Sequence, residues 1–539
     1  MGNTEGLLRQ HAAHILLPAN YSRTRVALTI VNLIYIFRPV STIASSVKKG
    51  VPFSSTTLTI VAIAAFGFAA RMWFMLLTGH LTGVFEYDDG VYFAATWYLL
   101  HGVMPYSRFV MVQPPGITIV LAPFVGTSLF VGQHLSLVLT RMAVLIVSAM
   151  NIGIVGWMLR RRSPASAVFG SLIMAVYPAN IMTSSSISQE PFLVLFCLLA
   201  LELVLRANSS SNSNKKLIWA GLLLALAVDV KLWAGVLVLV IISYLLFRCR
   251  YRGLISLCLG GLAGAAVFIL PFVLVAPGQF MHDVLFSQLN RSLAMTYPIF
   301  ARVTMLGGQW WSYLGTPFVI YDLAIGGLVI TFIVVVTVAL RRIVNSGDAD
   351  FIILALCMSV LTCFMFLWSF SFYYHYADFF IPWAAIAFAS SLDLLGMFRR
   401  VTLSQTLFVM VALAILVTIL PFKLPRDSTP ASSIALSQDA RCLVSVSIEY
   451  TVVVGRLQAS HGCPVIVDSY GVMLVDLSDR VSQSIVEATW LADLRRAQCV
   501  IIAAPGSPQL LDSRQVMAYV HLHFPIRISK GITEYCRAK

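Results

Sequence analysis

Eleven stretches of this chain are apolar over a length that points to a lipid bilayer. A helix needs roughly 20 apolar residues to cross hydrocarbon. Such stretches run over 57–79, 137–159, 165–183, 190–206, 216–230, 233–247, 253–276, 322–340, 351–370, 377–396 and 404–420. Charged residues are 11% of the 539 and apolar residues 59%, with a mean hydropathy of +0.85. Soluble chains carry about 25% charge. A soluble multidomain protein, a disordered chain and a secreted disulfide scaffold are excluded. The expectation is an α-helical polytopic membrane protein with about eleven transmembrane helices. Residues 1–25 are polar, without a compact apolar core or small-residue cleavage site, so no removable signal peptide is expected. The short apolar stretch Val26–Phe37, basic on both flanks, reads as an interfacial helix within a cytosolic segment 1–56.

Basic residues set the expected orientation, because cytoplasmic loops retain Lys and Arg. With the N-terminus inside, 19 basic residues fall in inner segments, among them Arg160–Arg162, Arg206, Arg248, Arg341 and Arg342. Four (Arg108, Lys231, Arg291, Arg302) fall in outer loops. The predicted topology is N-terminus cytosolic, C-terminus extracytoplasmic, in a plasma membrane. The tail after Leu420 holds 12 basic and 10 acidic residues, so the net charge of +14 resides mainly in inner loops. That distribution reads as topology and contact with anionic lipid, not as a nucleic-acid surface.

Three regions lie outside the bilayer in this reading: the outer loop 80–136, the loop 277–321 with paired Trp310 and Trp311, and the tail 421–539. The tail is long enough for a small domain. Its apolar runs Cys442–Val454, Pro464–Val467 and Cys499–Ala503 predict strands, and Ser482–Arg496 has helical spacing, so a small extracytoplasmic α/β domain is expected. Cys442, Cys463, Cys499 and Cys536 all fall in that tail. In an oxidising compartment they predict one or two disulfides, with three pairings open.

Ionisable residues near the membrane carry a cost and need a reason. They concentrate after the first span, in Phe85-Glu86-Tyr87-Asp88-Asp89-Gly90-Val91-Tyr92-Phe93, followed by an amphipathic helix to Leu100. Then come His101-Gly102-Val103-Met104-Pro105-Tyr106 and Val112-Gln113-Pro114-Pro115-Gly116. Adjacent carboxylates serve as a general base, a metal site or both, since repulsion between like charges makes one of them a better base. The plainer reading is that Asp88 and Asp89 cap the following helix.

The order Asp88-Asp89, Tyr92, Gly102-Val103-Met104-Pro105-Tyr106, Gln113-Pro114-Pro115-Gly116 resembles the GT-C superfamily of membrane glycosyltransferases. Within it, the match is to the branch of protein O-mannosyltransferases and lipid A aminoarabinose transferases. The resemblance covers 57–420 and leaves the tail outside; relatives often carry Asp-Glu where Asp88-Asp89 stands. Further positions fit it. Ser188-Gln189-Glu190-Pro191 opens the fourth span where a second acid is common, or simply places a charge at a helix N-terminus. In Asp229-Val230-Lys231, the lysine forms an internal ion pair or meets a phosphate. Tyr373-Tyr374-His375-Tyr376-Ala377-Asp378 meets the last signature, although aromatics and His also anchor interfaces. Arg71, within the first span, snorkels outward or faces the same cavity.

What the resemblance implies is inverting transfer of a sugar from a polyprenyl-phosphate donor to an envelope glycan, lipid or protein. Asp88 would be the general base, with Asp89 beside it in the catalytic pair. Tyr92, Gln113, Glu190, Lys231, Arg291, His375 and Tyr376 would bind substrate. Lys231, Arg291 and Arg302 are the cations available to a leaving phosphate. Asp89 and Glu190 are candidate ligands for a divalent ion, Mg or Mn. No nucleotide-binding loop occurs. The rival reading is a transporter or flippase of lipid-linked sugars, which would predict inverted repeats and broken helices at mid-depth.

Overall fold

The computed structural model describes residues 55–208, 212–289, 297–307, 333, 336–337, 349–369, 371–397, 428–434, 440–458, 463–472, 483–502, 514–529 and 533–538. The expected span 404–420, nearly all of 322–340, Val26–Phe37, Trp310, Trp311 and Arg291 lie outside these. The described residues all fall within one compact unit, Ser54–Lys539.

Helices account for most of the described residues. Among them, five are long and apolar enough to cross a membrane: Ser55–Thr78, Gln133–Leu159, Tyr251–Phe268, Ala349–Trp368 and the stretch Tyr374–Leu394. Of the other expected spans, 216–230 lies in an 18-residue helix, Ser213–Val230, that carries Lys215, Lys216 and Asp229, 233–247 is the shorter helix Gly235–Phe247, and another is interrupted by proline. The span 165–183 divides into Pro164–Val176 and Pro178–Thr183. Ser163 starts the first piece, its hydroxyl accepting the Ser166 N–H at 3.1 Å. Pro178 ends it, because proline offers no N–H to the Met174 carbonyl four residues back.

Arg71 repairs that break. Its Nη2 donates to the Met174 carbonyl at 2.9 Å, and Nη1 to those of Ala175 at 2.9 Å and Gly67 at 3.0 Å. Nε reaches Ser148 Oγ at 3.1 Å. Arg71 therefore neither snorkels nor faces a cavity: it is fully buried, and two of its hydrogen bonds go to carbonyls beside the break, those of Met174 and Ala175.

Small residues set the closest helix contact. A Cβ on Gly260 would stand 1.9 Å from the Ile218 carbonyl oxygen, and one on Gly221 2.0 Å from that of Leu257. The Ser213–Val230 and Tyr251–Phe268 helices touch backbone to backbone there.

In the tail, four strands form a mixed sheet: β1 (Leu443–Ser445), β2 (Cys499–Ile502), β3 (Ile526–Ser529) and β4 (Thr533–Cys536), in the order β1-β2-β4-β3. β1 and β2 are parallel, and the β4 pairings are antiparallel. Val500 and Ile502 pack with Trp490, Leu494, Val516 and Val520 from the helices Gln483–Arg496 and Arg514–His523. Ile501, on the opposite face of the strand, joins the main helical core. Two strand expectations need correction. Cys442–Val454 yields only β1 before turning into the helix Ile448–Val453, and Pro464–Val467 is irregular. Disulfides join Cys442 to Cys463 and Cys499 to Cys536.

Candidate active site

The helix Tyr87–Leu100 lies in the segment after the first long apolar helix, with Asp88 and Asp89 in its first turn. Its N-cap is Glu86, and no side chain caps it, so the acidic pair does not serve as a cap. The amphipathic face expected for this helix is absent: residues Asp89–Tyr98 are all buried. The reason is the tail helix Ile448–Val453, which lies across it so tightly that a Cβ on Gly90 would stand 2.4 Å from the Glu449 backbone nitrogen. The glycine after the two aspartates is thus where the tail docks.

The two aspartates have opposite environments. Asp89 is buried, its Oδ2 paired with Arg141 Nη2 at 2.6 Å and its Oδ1 accepting the Ile187 N–H. Arg141 also donates to the Leu81 carbonyl at 3.0 Å. Asp88 is half-buried and accepts one hydrogen bond, from Tyr92 Oη at 3.1 Å. Among the described residues it has no ion pair.

Other acids gather around Asp88. Glu86 accepts from Tyr374 Oη at 3.0 Å. Burial, then the charge of Asp88, pushes the Glu86 carboxyl up to about 8. Glu190, the first residue of the helix Glu190–Ala207, takes two nitrogen donors on one oxygen: Lys231 Nζ at 2.5 Å and His375 Nδ1 at 2.6 Å. Because an ionised carboxylate only accepts, Nδ1 carries the proton of His375. Lys231 lies 3.8 Å from the centre of the Trp233 ring, and Trp233 meets Tyr376 at 4.1 Å. The aromatic wall holds the ammonium in place.

The tail supplies an acid as well. Asp468 Oδ1 accepts from Tyr87 Oη at 3.0 Å and from the Gly471 N–H at 2.7 Å. Burial, and more weakly Asp88, raises its carboxyl to about 6. Tyr470 adds its N–H to Tyr87 Oη at 3.0 Å and its hydroxyl to Tyr373 Oη at 3.4 Å.

Of the sequence-predicted residues, Asp88, Tyr92, Glu190, Lys231, His375 and Tyr376 converge. Asp89 lies behind them on Arg141. Gln113 borders the group through Val112, whose N–H bonds Asp468. Lys231 pairs with Glu190, not with Asp229, whose buried carboxylate lies at the Gly116 amide. Arg302 is no free cation: it binds the Phe366 and Leu367 carbonyls at 3.3 and 3.0 Å, at the end of the Ala349–Trp368 helix. Sequence reading missed Glu86, Arg141 and Asp468. Arg141 had a signal, a charge inside an apolar span. Asp468-Ser469-Tyr470-Gly471 reads as an ordinary turn and had none. A divalent ion on Asp89 and Glu190 does not fit this donor set, because Arg141 already neutralises the first and Lys231 the second.

Residues 112–276 match the family model for dolichyl-phosphate-mannose-protein mannosyltransferase. The crystal structure of apo ArnT from Cupriavidus metallidurans aligns over 90% of this chain and 99% of its own, at 14% identity and a TM-score of 0.60. The same protein bound to undecaprenyl phosphate aligns over the same shares at 13% identity and a TM-score of 0.60. No curated protein matches the chain in sequence. The chain thus has the fold of ArnT over nine-tenths of its length, and its residues 112–276 match the dolichyl-phosphate-mannose-protein mannosyltransferase family model.

Proposed function

We propose that this protein is a glycosyltransferase that moves a sugar from a polyprenyl-phosphate donor to a cell-envelope acceptor, with inversion and with Asp88 as general base. One observation carries the reading: of the acidic pair, only Asp88 is accessible and free of an ion pair, within a cluster otherwise held by fixed partners. The acceptor hydroxyl gives its proton to the Asp88 carboxylate as its oxygen forms a bond to the anomeric carbon. The bond from that carbon to the phosphate oxygen breaks, and its electron pair leaves on the polyprenyl phosphate. Lys231, steered by Glu190 and Trp233, and His375 stabilise the departing charge. Tyr92 orients the base. Asp89 acts from behind, fixing the first turn of its helix through Arg141. No step passes through a divalent ion.

The relative's complex with undecaprenyl phosphate supports a polyprenyl-phosphate donor. The reading also assigns the site to the extracytoplasmic side of a plasma membrane, with the N-terminus cytosolic. The two disulfides support that side, because the tail that carries them docks against the Asp88 helix and such bonds persist in oxidising compartments.

The test is a transfer assay with radiolabelled polyprenyl-phosphate pentoses and hexoses and a crude envelope acceptor. Native protein transfers label. Asp88→Asn loses about 100- to 10,000-fold with an unchanged melting temperature. No transfer from any donor, together with movement of the lipid across vesicles, overturns the reading in favour of a flippase.

A further inference from the structure

A second site lies at the opposite end of the helix bundle. A cavity of about 340 Å³ is lined by Thr56, Trp157, Arg160, Arg161, Glu202 and Arg206, with Pro164 at its edge. Thr56 lies in the first turn of the helix whose far end leads to Asp88, and 22 residues at 1.5 Å each separate the cavity from that end by roughly 30 Å. Glu202 and Arg206 sit likewise at the end of the Glu190 helix remote from Glu190.

Its charge is unbalanced. Glu202 pairs with two arginines, accepting from Arg161 Nη2 at 2.5 Å and Arg206 Nε at 2.7 Å, and so leaves one positive charge uncompensated. Arg160 is a third, stacked over Trp157 and without a carboxylate partner among the described residues. Three guanidinium groups thus face one carboxylate. Burial, and then the positive Arg206, lowers the Arg160 guanidinium from its ordinary value, with Glu202 opposing. Such an arrangement is completed by an anion with several oxygens, for which arginine's fork is shaped.

An apolar track leads away from the cavity. Ile146, Met150 and Trp157 share one face of the Gln133–Leu159 helix, at spacings of four and seven residues, and are 50%, 37% and 36% exposed. Trp157 stands at the end of that track, where tryptophan marks the boundary between hydrocarbon and headgroups.

We infer that this cavity binds the phosphodiester headgroup of an anionic membrane phospholipid, with an acyl chain along the Ile146–Met150–Trp157 face. Arg160 is the principal headgroup contact and Arg206 the second, while Arg161 stays on Glu202. The inference is independent of the transfer reading.

The test uses full-length protein stripped of lipid and reconstituted in nanodiscs, followed by release into native mass spectrometry. Phosphatidylglycerol and phosphatidylcholine are compared, with and without millimolar inorganic phosphate. Native protein retains phosphatidylglycerol over phosphatidylcholine, and phosphate does not displace it. Arg160→Gln, which breaks no ion pair, reduces retention about tenfold, and adding Arg206→Gln removes it; both variants keep the native melting temperature in detergent. Arg160→Lys restores part of the preference. Equal retention of the two lipids, retention unaffected by either variant, or displacement by phosphate (a soluble-anion site) each overturns the inference.

Discussion

Two neighbouring aspartates of the same residue type have different work here, and burial separates them. Asp89 is 2% exposed and shares its charge with Arg141, 1% exposed. Removing one partner of a buried pair strands the other charge in a medium that solvates it poorly. Asp89→Asn should therefore cost about 3–5 kcal/mol in stability, whereas Asp88→Asn costs activity alone. Adding Arg141→Gln to Asp89→Asn should recover most of the loss, because the stranded charge goes with it. Thermal unfolding of the two single variants and the double variant in detergent checks this. A double variant as unstable as the sum of the singles would show that the pair is not coupled.

Glycines decide the contacts between elements. At Gly90 the Tyr87–Leu100 helix meets the backbone of the tail helix, leaving no room for a side chain. Gly90→Val should push the tail off the Tyr87–Leu100 helix, separate Asp468 from Tyr87, and lower transfer while the membrane helices stay folded. Limited proteolysis should then cut the tail selectively; a tail that stays resistant would refute the docking. At Gly260 the neighbour is a carbonyl oxygen of another helix, with no flexible side chain to give way. Gly260→Val should be severely destabilising, read as loss of monodisperse protein in size-exclusion chromatography, while Gly278→Ala, with open space around it, should be neutral.

At the scale of the whole molecule, buried acids make the fold sensitive to alkali. Burial raises Asp468 to about 6 and both Glu86 and Glu449 to about 8, from ordinary values of 3.8 and 4.5. The unfolded chain releases these protons at lower pH than the folded one. The stability they contribute is complete below pH 4 and is lost as pH rises through about 6 and then about 8. The melting temperature should fall from about pH 4 to about pH 8, and Glu86→Gln should flatten that fall. A profile identical in the variant would mean that Glu86 does not hold its proton in the fold.

The sequence by itself determined the class of solvent and the helical architecture, and it put forward several of the residues that the candidate site brings together. Apolar length and segregated charge are local properties, legible without neighbours, and the acidic pair, Glu190, Lys231 and His375 stood in recognisable positions. Tertiary structure decided which aspartate is accessible, that Lys231 belongs to Glu190, and that Arg71 and Arg302 serve freed carbonyls. It also brought Asp468 into the cluster across 380 residues of chain from Asp88. Ion pairing and desolvation depend on which groups meet in space, and a one-dimensional string of residues does not record that.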